Sequence, residues 1–316
     1  MKDTVYVRGY VLAFIGTAFW STSAVIISYL TTRFRMPPLV LAFWRDVLVA
    51  CSLVVALAIA GQGQLHLERR HVPFIVFYSL FLAVFNSMWV FSVALNGAAL
   101  ATVLLYVSPA FTAVIEWRWG DERLTELKMI AIALSIVGCV FASGAYGPSF
   151  RKLNLGGIVV GLATGFAFAL YSLLGRVSSR KGVRPWTTTL YTFAFGSAFL
   201  LLVQRPETFF WLSRPLAKGA GGWHEAALGW GTMLVLAIGP TLGGYGLYIV
   251  SLTYLPATTA NLIVTLEPAM TAVLAFLFLG ERLTIPQLAG SAVILAGVFL
   301  LRLTDRRAQA PDCLAD

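Results

Sequence analysis

Residues 257–284 read ATTANLIVTLEPAMTAVLAFLFLGERLT, and residues 98–125 read AALATVLLYVSPAFTAVIEWRWGDERLT. Laid over one another without a gap, they place Pro109 on Pro268, Thr112-Ala113-Val114 on Thr271-Ala272-Val273, and Glu122-Arg123-Leu124-Thr125 on Glu281-Arg282-Leu283-Thr284, all at a shift of 159 residues. The ungapped match runs on to Gly138 and Gly297. Shared apolar composition does not produce a four-residue polar match at a fixed distance from a shared proline, so the chain contains a duplication. At a shift near 149, Gly16, Ala18, Phe19 and Ser23 also fall on Gly165, Ala167, Phe168 and Ser172.

The medium around this duplication follows from composition. The 316 residues are 59% hydrophobic and 12% charged with mean hydropathy +0.81, whereas soluble domains are about a quarter charged. Apolar residues run continuously near 9–30, 37–60, 72–95, 98–117, 127–145, 155–174, 186–203, 228–252, 258–279 and 287–302. Roughly 20 residues cross the hydrocarbon as a helix, so the expected fold is an all-α polytopic membrane protein of ten transmembrane helices. The first run is longer than a cleaved signal's apolar core and reads as a retained helix. The expected organisation is a first five-helix repeat over 1–147, a second over 148–305 and a cytoplasmic tail over 306–316. Five is odd, so the second repeat enters the membrane in the opposite sense. Inverted repeats around a central cavity are a signature of transporters, whose two access states are then near mirror images.

Short loops set orientation through Lys and Arg. With the N-terminus inside, about 14 cations collect on the inner side, including Arg69, Arg70, Arg176, Arg180, Lys181 and Arg184, against about eight outside. Both termini are therefore expected to be cytoplasmic, in a multi-pass protein of the cell (inner) membrane. Topology and anionic lipid account for the net charge of +9, and no nucleic-acid partner is needed. The expected partners are a small-molecule substrate and the bilayer; a monomer is compatible with the sequence and the oligomeric state stays open. Cys51 and Cys139 fall inside spans as small apolar fillers. His66, His71 and His224 lack neighbours at metal-ligand spacing, so neither metal nor cofactor is expected.

The segment LEPAMTAVLAFLFLGERLTIPQLAGSAVILAGVFLL, with its echo SPAFTAVIEWRWGDERLTELKMIAIALSIVGCVFASG, resembles the EamA family of the drug/metabolite transporter superfamily. Arg45 and the AFWSTSA segment at 18–24 resemble it too, while Asp121 stands where the family's loop has glycine. Phe19-Trp20-Ser21-Thr22 and Tyr106-Val107-Ser108-Pro109 are similar to segments of an aromatic amino-acid exporter in that family, in which an aromatic residue takes the place of Ser108. The resemblance implies a ten-helix exporter whose spans one, three, four, six, eight and nine surround a central cavity.

Prolines locate candidate helix breaks. Pro109 and Pro268 each lack the N–H that would bond four residues back, which frees the carbonyls of Leu105 and Val264. Polar residues recur at matching positions around them: Thr102 with Asn261, Tyr106 with Thr265, Ser108 with Glu267. The alternative is that these kinks only shape helix contacts. Pro240, followed by Gly243-Gly244-Tyr245-Gly246-Leu247-Tyr248, marks a third irregularity, with its glycines read as close-packing positions. Trp20, Ser21, Asn86, Trp89, Tyr106, Ser108, Phe168, Tyr171, Tyr245, Tyr248, Asn261 and Glu267 are the candidate substrate-binding lining of the cavity, whose aromatic wall suits apolar or aromatic side chains or a ligand ammonium. For each aromatic alone, a lipid-facing position competes.

Charges inside spans cost about 2.5–3.5 kcal/mol on insertion scales. Arg45, Asp46 and Glu267 lie inside; Glu116 is read at an interface beside Arg118, and Arg45 and Asp46, adjacent on one helix, are expected to find different partners. Three roles are open to Glu267: holding a substrate amino group, exchanging protons, or a neutral structural contact to Thr271.

The function expected from these features is secondary transport that exports small metabolites, amino acids (aromatic or neutral) first among them, by alternating access. Efflux of aromatic or cationic drugs is the alternative. A membrane enzyme would need an HExxH, a GxGD-type aspartate pair or a loop Ser/His/Asp cluster, and the sequence has none of them. It has no nucleotide-binding motif either.

Overall fold

The computed structural model describes residues 2–60, 65–119, 125–142, 155–203, 211, 222–267, 269–270 and 284–309. Its helices are α1 (Lys2–Arg33), α2 (Pro38–Ala60), α3 (Val72–Leu105), α4 (Ser108–Trp119), α5 (Glu126–Ala142), α6 (Leu155–Arg180), α7 (Pro185–Val203), α8 (Gly222–Leu236), α9 (Gly244–Ser251), α10 (Ala257–Val264) and α11 (Ile285–Gln309). Every regular element among the described residues is helical. Five segments there are long and apolar enough to cross a membrane: Pro38–Ile59, Arg69–Trp89, Leu155–Arg180, Pro185–Val203 and Gly222–Ser251. Only helices that satisfy their own backbone, or closed barrels, survive in hydrocarbon. The polar loop motifs at 121–124 and 280–283, together with Thr271 and Pro268, lie outside the described residues, as does the side chain of Thr102.

One expectation is corrected. The runs 72–95 and 98–117 were separated at Asn96-Gly97, but α3 continues through both residues to Leu105, and the chain breaks at Tyr106-Val107 instead. A lone glycine costs a helix only about 1 kcal/mol. The ring of Pro109 collides with the carbonyl four residues back, which is where α3 ends. The second repeat segment breaks alike: α10 ends at Val264, Thr265-Leu266 form the turn, and helix resumes at Glu267. Val107 N–H turns back to the Leu104 carbonyl and Thr265 N–H to that of Leu262, at 3.4 and 3.2 Å.

Pro240 acts differently. The chain widens into a π-turn over Ala237–Gly243, between α8 and α9. Pro240 cannot bond the Leu236 carbonyl, and Thr241 Oγ1 donates to that carbonyl at 2.8 Å. The wider turn hands that carbonyl to the N–H of Thr241 in place of the missing proline donor, and the hydroxyl adds a second bond. Thr241→Val should cost about 1 kcal/mol, read as a lower midpoint of thermal unfolding in detergent, with Thr241→Ser close to the parent. An unchanged midpoint in the valine variant would mean that another group serves the carbonyl.

The chain packs as two compact units, Met1–Val90 with Leu170–Leu255, and Phe91–Ala169 with Pro256–Asp316. Each draws on both sequence repeats, because the repeats are a relation between sequences and the units a relation of contact. In the first unit α1 lies along α9, and α2 along α7. Small residues permit the approach: a Cβ on Gly16 would stand 3.1 Å from the Gly244 carbonyl oxygen. An apolar cluster of Leu30, Met36, Val40, Leu41, Met233 and Leu236 joins α1, α2 and α8.

Arg45 and Asp46 overturn the expectation of separate partners. Arg45 Nε donates to Asp46 Oδ1 at 3.4 Å, since the long arginine arm folds across the angle between neighbouring side chains. Asn86 Nδ2 donates to the other carboxylate oxygen at 3.0 Å. The pair is buried, and it pins α3 to α2.

In the second unit α5 packs along α11, and α4 along α10. The first contact is reciprocal. A Cβ on Gly138 would lie 2.8 Å from the Gly290 carbonyl oxygen, and one on Gly297 would lie 3.0 Å from that of Ala131. Gly297 and Gly290 are the positions 159 residues after Gly138 and Ala131, so each helix meets its counterpart through the same pair of sites.

Candidate functional site

Each unit gathers a set of the residues singled out in the sequence. In the first unit the set is aromatic. The Trp20 ring on α1 meets Tyr245 edge-on at 4.9 Å between centroids and Tyr248 at 5.3 Å, both on α9. Tyr245 in turn meets Phe193 of α7 at 5.1 Å and Tyr171 of α6 at 6.0 Å, and Tyr171 lies 4.9 Å from Tyr78 of α3. Edge-to-face pairs at these separations are favourable beyond their area. Spacing explains why both α9 tyrosines take part, since residues three apart share a helical face. The Tyr248 hydroxyl donates to Ser172 Oγ at 2.6 Å. All six rings are buried.

Glycines bring the helices close enough for this. A side chain on Gly244 would fall inside the Trp20 indole, and one on Gly246 inside the Trp186 ring. Phe193 and Ser172 escaped sequence reasoning. Helix α7 has no distinct apolar face, so no period sets Phe193 apart, and Ser172 is one of several small polar residues in α6. Of the other expected residues in this unit, Ser21 donates to its own helix at the Ala18 carbonyl, 2.7 Å away. Asn86 is held by Asp46 as described, and Trp89 stands half-buried on α3 outside the chain of rings. Pro240 is buried in the π-turn.

In the second unit the set is polar and runs as rungs between antiparallel α4 and α10. At one end the Tyr106 hydroxyl donates to Glu267 Oε2 at 2.5 Å, joining the first helix break to the second. In the middle Asn261 Nδ2 donates to Thr112 Oγ1 at 2.8 Å. At the other end Glu116 accepts from the Ala257 and Thr258 N–H groups at 3.1 and 3.2 Å and from Thr258 Oγ1 at 2.6 Å. Glu116 is therefore no interfacial neighbour of Arg118. It is 7% exposed, a helix cap supplied from another helix, and nothing in its local sequence could show that.

The same register sets Ser108 opposite Thr265. Ser108 is fully buried, and its hydroxyl has no hydrogen-bond partner among the described residues. Thr265 gives its hydroxyl to the Leu262 carbonyl at 2.6 Å, and its own carbonyl accepts from Cys139 Sγ at 3.7 Å. Pro109 begins α4, where a missing N–H costs nothing. Phe168 is buried in this unit. Glu267 is the one half-buried residue among the paired rungs; the rest are closed off. Its carboxylate accepts from a neutral phenol.

The chain has relatives among known proteins. The chain matches the EamA-like transporter family over residues 7–144 and again over 155–303. It is 26% identical to the threonine/homoserine exporter RhtA of Escherichia coli (strain K12), over 82% of this chain and 81% of that one. It is 24% identical to the uncharacterized transporter YwfM of Bacillus subtilis (strain 168), over 97% of each, and 29% identical to an uncharacterized transporter of Archaeoglobus fulgidus, over 69% of this chain and 74% of that one. A solved crystal structure, 17% identical, superimposes with a TM-score of 0.73 over 96% of this chain and 99% of its own. That last likeness is one of fold.

Proposed function

Because the chain belongs to the EamA-like transporter family, we propose that this membrane transporter exports small metabolites, amino acids with neutral or aromatic side chains first among them, by alternating access. The observation that carries the reading is the Tyr106–Glu267 hydrogen bond between the two helix breaks. A free amino acid brings an ammonium group, and a membrane-embedded carboxylate whose described partner is uncharged supplies the counter-charge. The exporter RhtA, by its name a carrier of threonine and homoserine, supports the substrate class.

The ten-span architecture belongs to this proposal, with inverted halves at 1–147 and 148–305, a cytoplasmic tail at 306–316, and both termini on the cytoplasmic side of the cell membrane. Reciprocal packing of α5 on α11 supports it, because a pseudo-twofold axis makes each site of a pair meet the other's counterpart. Counterflow of labelled amino acids into proteoliposomes is the test, run beside quaternary ammonium compounds. Saturable amino-acid counterflow is expected; its absence, with ammonium flux present, would move the reading to drug efflux. The rings around Trp20 favour that second reading, since aromatic faces hold planar or cationic ligands equally well.

Trp20→Ala and Tyr245→Ala each remove a central ring and should lower flux about tenfold or more, by analogy with aromatic hot spots. Trp89→Ala, outside the chain of rings, should cost less. Insertion should be normal in all three. Undiminished flux in the first two would remove the aromatic set from the substrate route.

A further inference from the structure

Glu116 is used by no step so far, yet it accepts three hydrogen bonds in the interior of the second unit. Its partners are the first residues of α10. That helix starts at Ala257 because Pro256, extended at φ −56° and ψ 149°, ends the preceding turn and offers no side-chain cap. Two N–H groups are thereby orphaned in a place without water, and the Glu116 carboxylate satisfies both.

The symmetry-related pair of positions provides a control within the same sequence. The positions 159 residues away from Pro256 and Glu116 are Gly97 and Ala275. Around Gly97 helix α3 runs unbroken, so no N–H is orphaned. At the position matching Glu116 the sequence has no carboxylate. Pro256 of the second repeat meets Glu116 of the first, whereas the symmetry-related pair, Gly97 of the first and Ala275 of the second, has neither proline nor carboxylate, which ties the charge of Glu116 to the start of α10.

What α10 carries gives that tie its purpose. It is 8 residues long, far below the length at which a helix is stable by itself, so contacts with its neighbours set its position. Glu116 holds its first residues, and the Tyr106–Glu267 bond is made just past its last, beyond the turn Thr265-Leu266. We infer that Glu116 is a positioning residue of the transport site: it sets the height of α10 against α4, and so where the Glu267 carboxylate stands beside Tyr106. The inference rests on the reading of Glu267 as the partner of the substrate's ammonium.

The test is amino-acid counterflow by the full-length protein in proteoliposomes, for Glu116→Gln, Thr258→Val, Glu267→Gln and the double variant Glu116→Gln/Glu267→Gln. Glu116→Gln keeps one acceptor oxygen and loses the other with the charge, and KM should rise about three- to tenfold with little change in maximal rate. Thr258→Val breaks the shortest of the three bonds from the opposite side and should move KM the same way by less, a second reading if Glu116→Gln yields little protein. In the double variant KM should equal that of Glu267→Gln alone, because the group being positioned no longer carries its charge.

A merely structural cap would lower yield and thermal stability while KM stayed put in Glu116→Gln and Thr258→Val, and that result overturns the inference. So would KM effects that multiply in the double variant. If Glu267→Gln itself leaves KM unchanged, the reading of Glu267 falls and this inference with it. A raised KM in Glu267→Gln beside an unchanged one in Glu116→Gln overturns the positioning role alone.

Discussion

Glu267→Gln is expected to cut amino-acid counterflow at low substrate concentration by about 10- to 100-fold while the protein inserts and unfolds as before. Glutamine keeps the shape of the side chain and an oxygen for the Tyr106 hydroxyl, now 2.5 Å from Oε2, so the link between the two breaks persists. What disappears is the negative charge. A hydrogen bond to a charged group contributes about 1.5–3 kcal/mol, and each 1.4 kcal/mol is a factor of ten in affinity, which sets the size of the effect. It should fall on KM when the carboxylate meets the ammonium of the bound amino acid. If instead Glu267 exchanges a proton during transport, the flux of the parent will depend on pH and that dependence will vanish in the variant. A KM and a pH profile both unaltered would leave Glu267 a structural partner of Tyr106.

The second large effect is expected at Gly244. A Cβ there would fall inside the Trp20 indole, and Trp20 has no room to retreat, being 8% exposed and in ring contact with Tyr245 and Tyr248. Gly244→Ala must therefore push α1 from α9 or turn the indole out. Overpacking of this kind costs about 1–3 kcal/mol, visible as a lower midpoint of thermal unfolding, with flux falling in step. Gly231→Ala, where nothing lies within 4 Å, should be neutral or slightly stabilising, since a glycine inside a helix is a weak point. In the Trp20→Ala background Gly244→Ala should cost less than in the parent, because the smaller residue vacates the space the new methyl group needs. A Gly244→Ala cost as large in the Trp20→Ala background as in the parent would show that the clash lies elsewhere.

These predictions draw unequally on sequence and on contact. The helix ends at Leu105 and Val264 could be read from the chain, each four residues before a proline, because a missing N–H and a ring against a carbonyl are covalent facts. The irregular turn at Pro240 was legible for the same reason, and the shared face of Tyr245 and Tyr248 followed from helical spacing. The unbroken helix through Gly97 was not, because glycine only weakens a helix and its neighbours decide whether it continues. A hydropathy run measures how apolar a stretch is, and it is silent about whether two adjoining runs form one helix.

Partners were the part hidden from the sequence. Side-chain type marked Glu267 and Tyr106 as costly polar groups in hydrocarbon, yet their pairing depends on the register of α10 against α4. That register is set by contacts between residues far apart in the chain. Glu116 looked like a residue near a span end and is a buried cap, since the N–H groups it serves belong to a helix more than a hundred positions away. Asn86, expected among the substrate contacts, is held by Asp46, and Arg45 reaches its own neighbour with an arm whose path only packing selects. The sequence by itself determined the membrane class, the duplication, the family and the places where helices must break, all consequences of composition and local backbone chemistry. Tertiary structure alone decided which polar group meets which, because a hydrogen bond forms between surfaces that only folding brings within 3 Å or so.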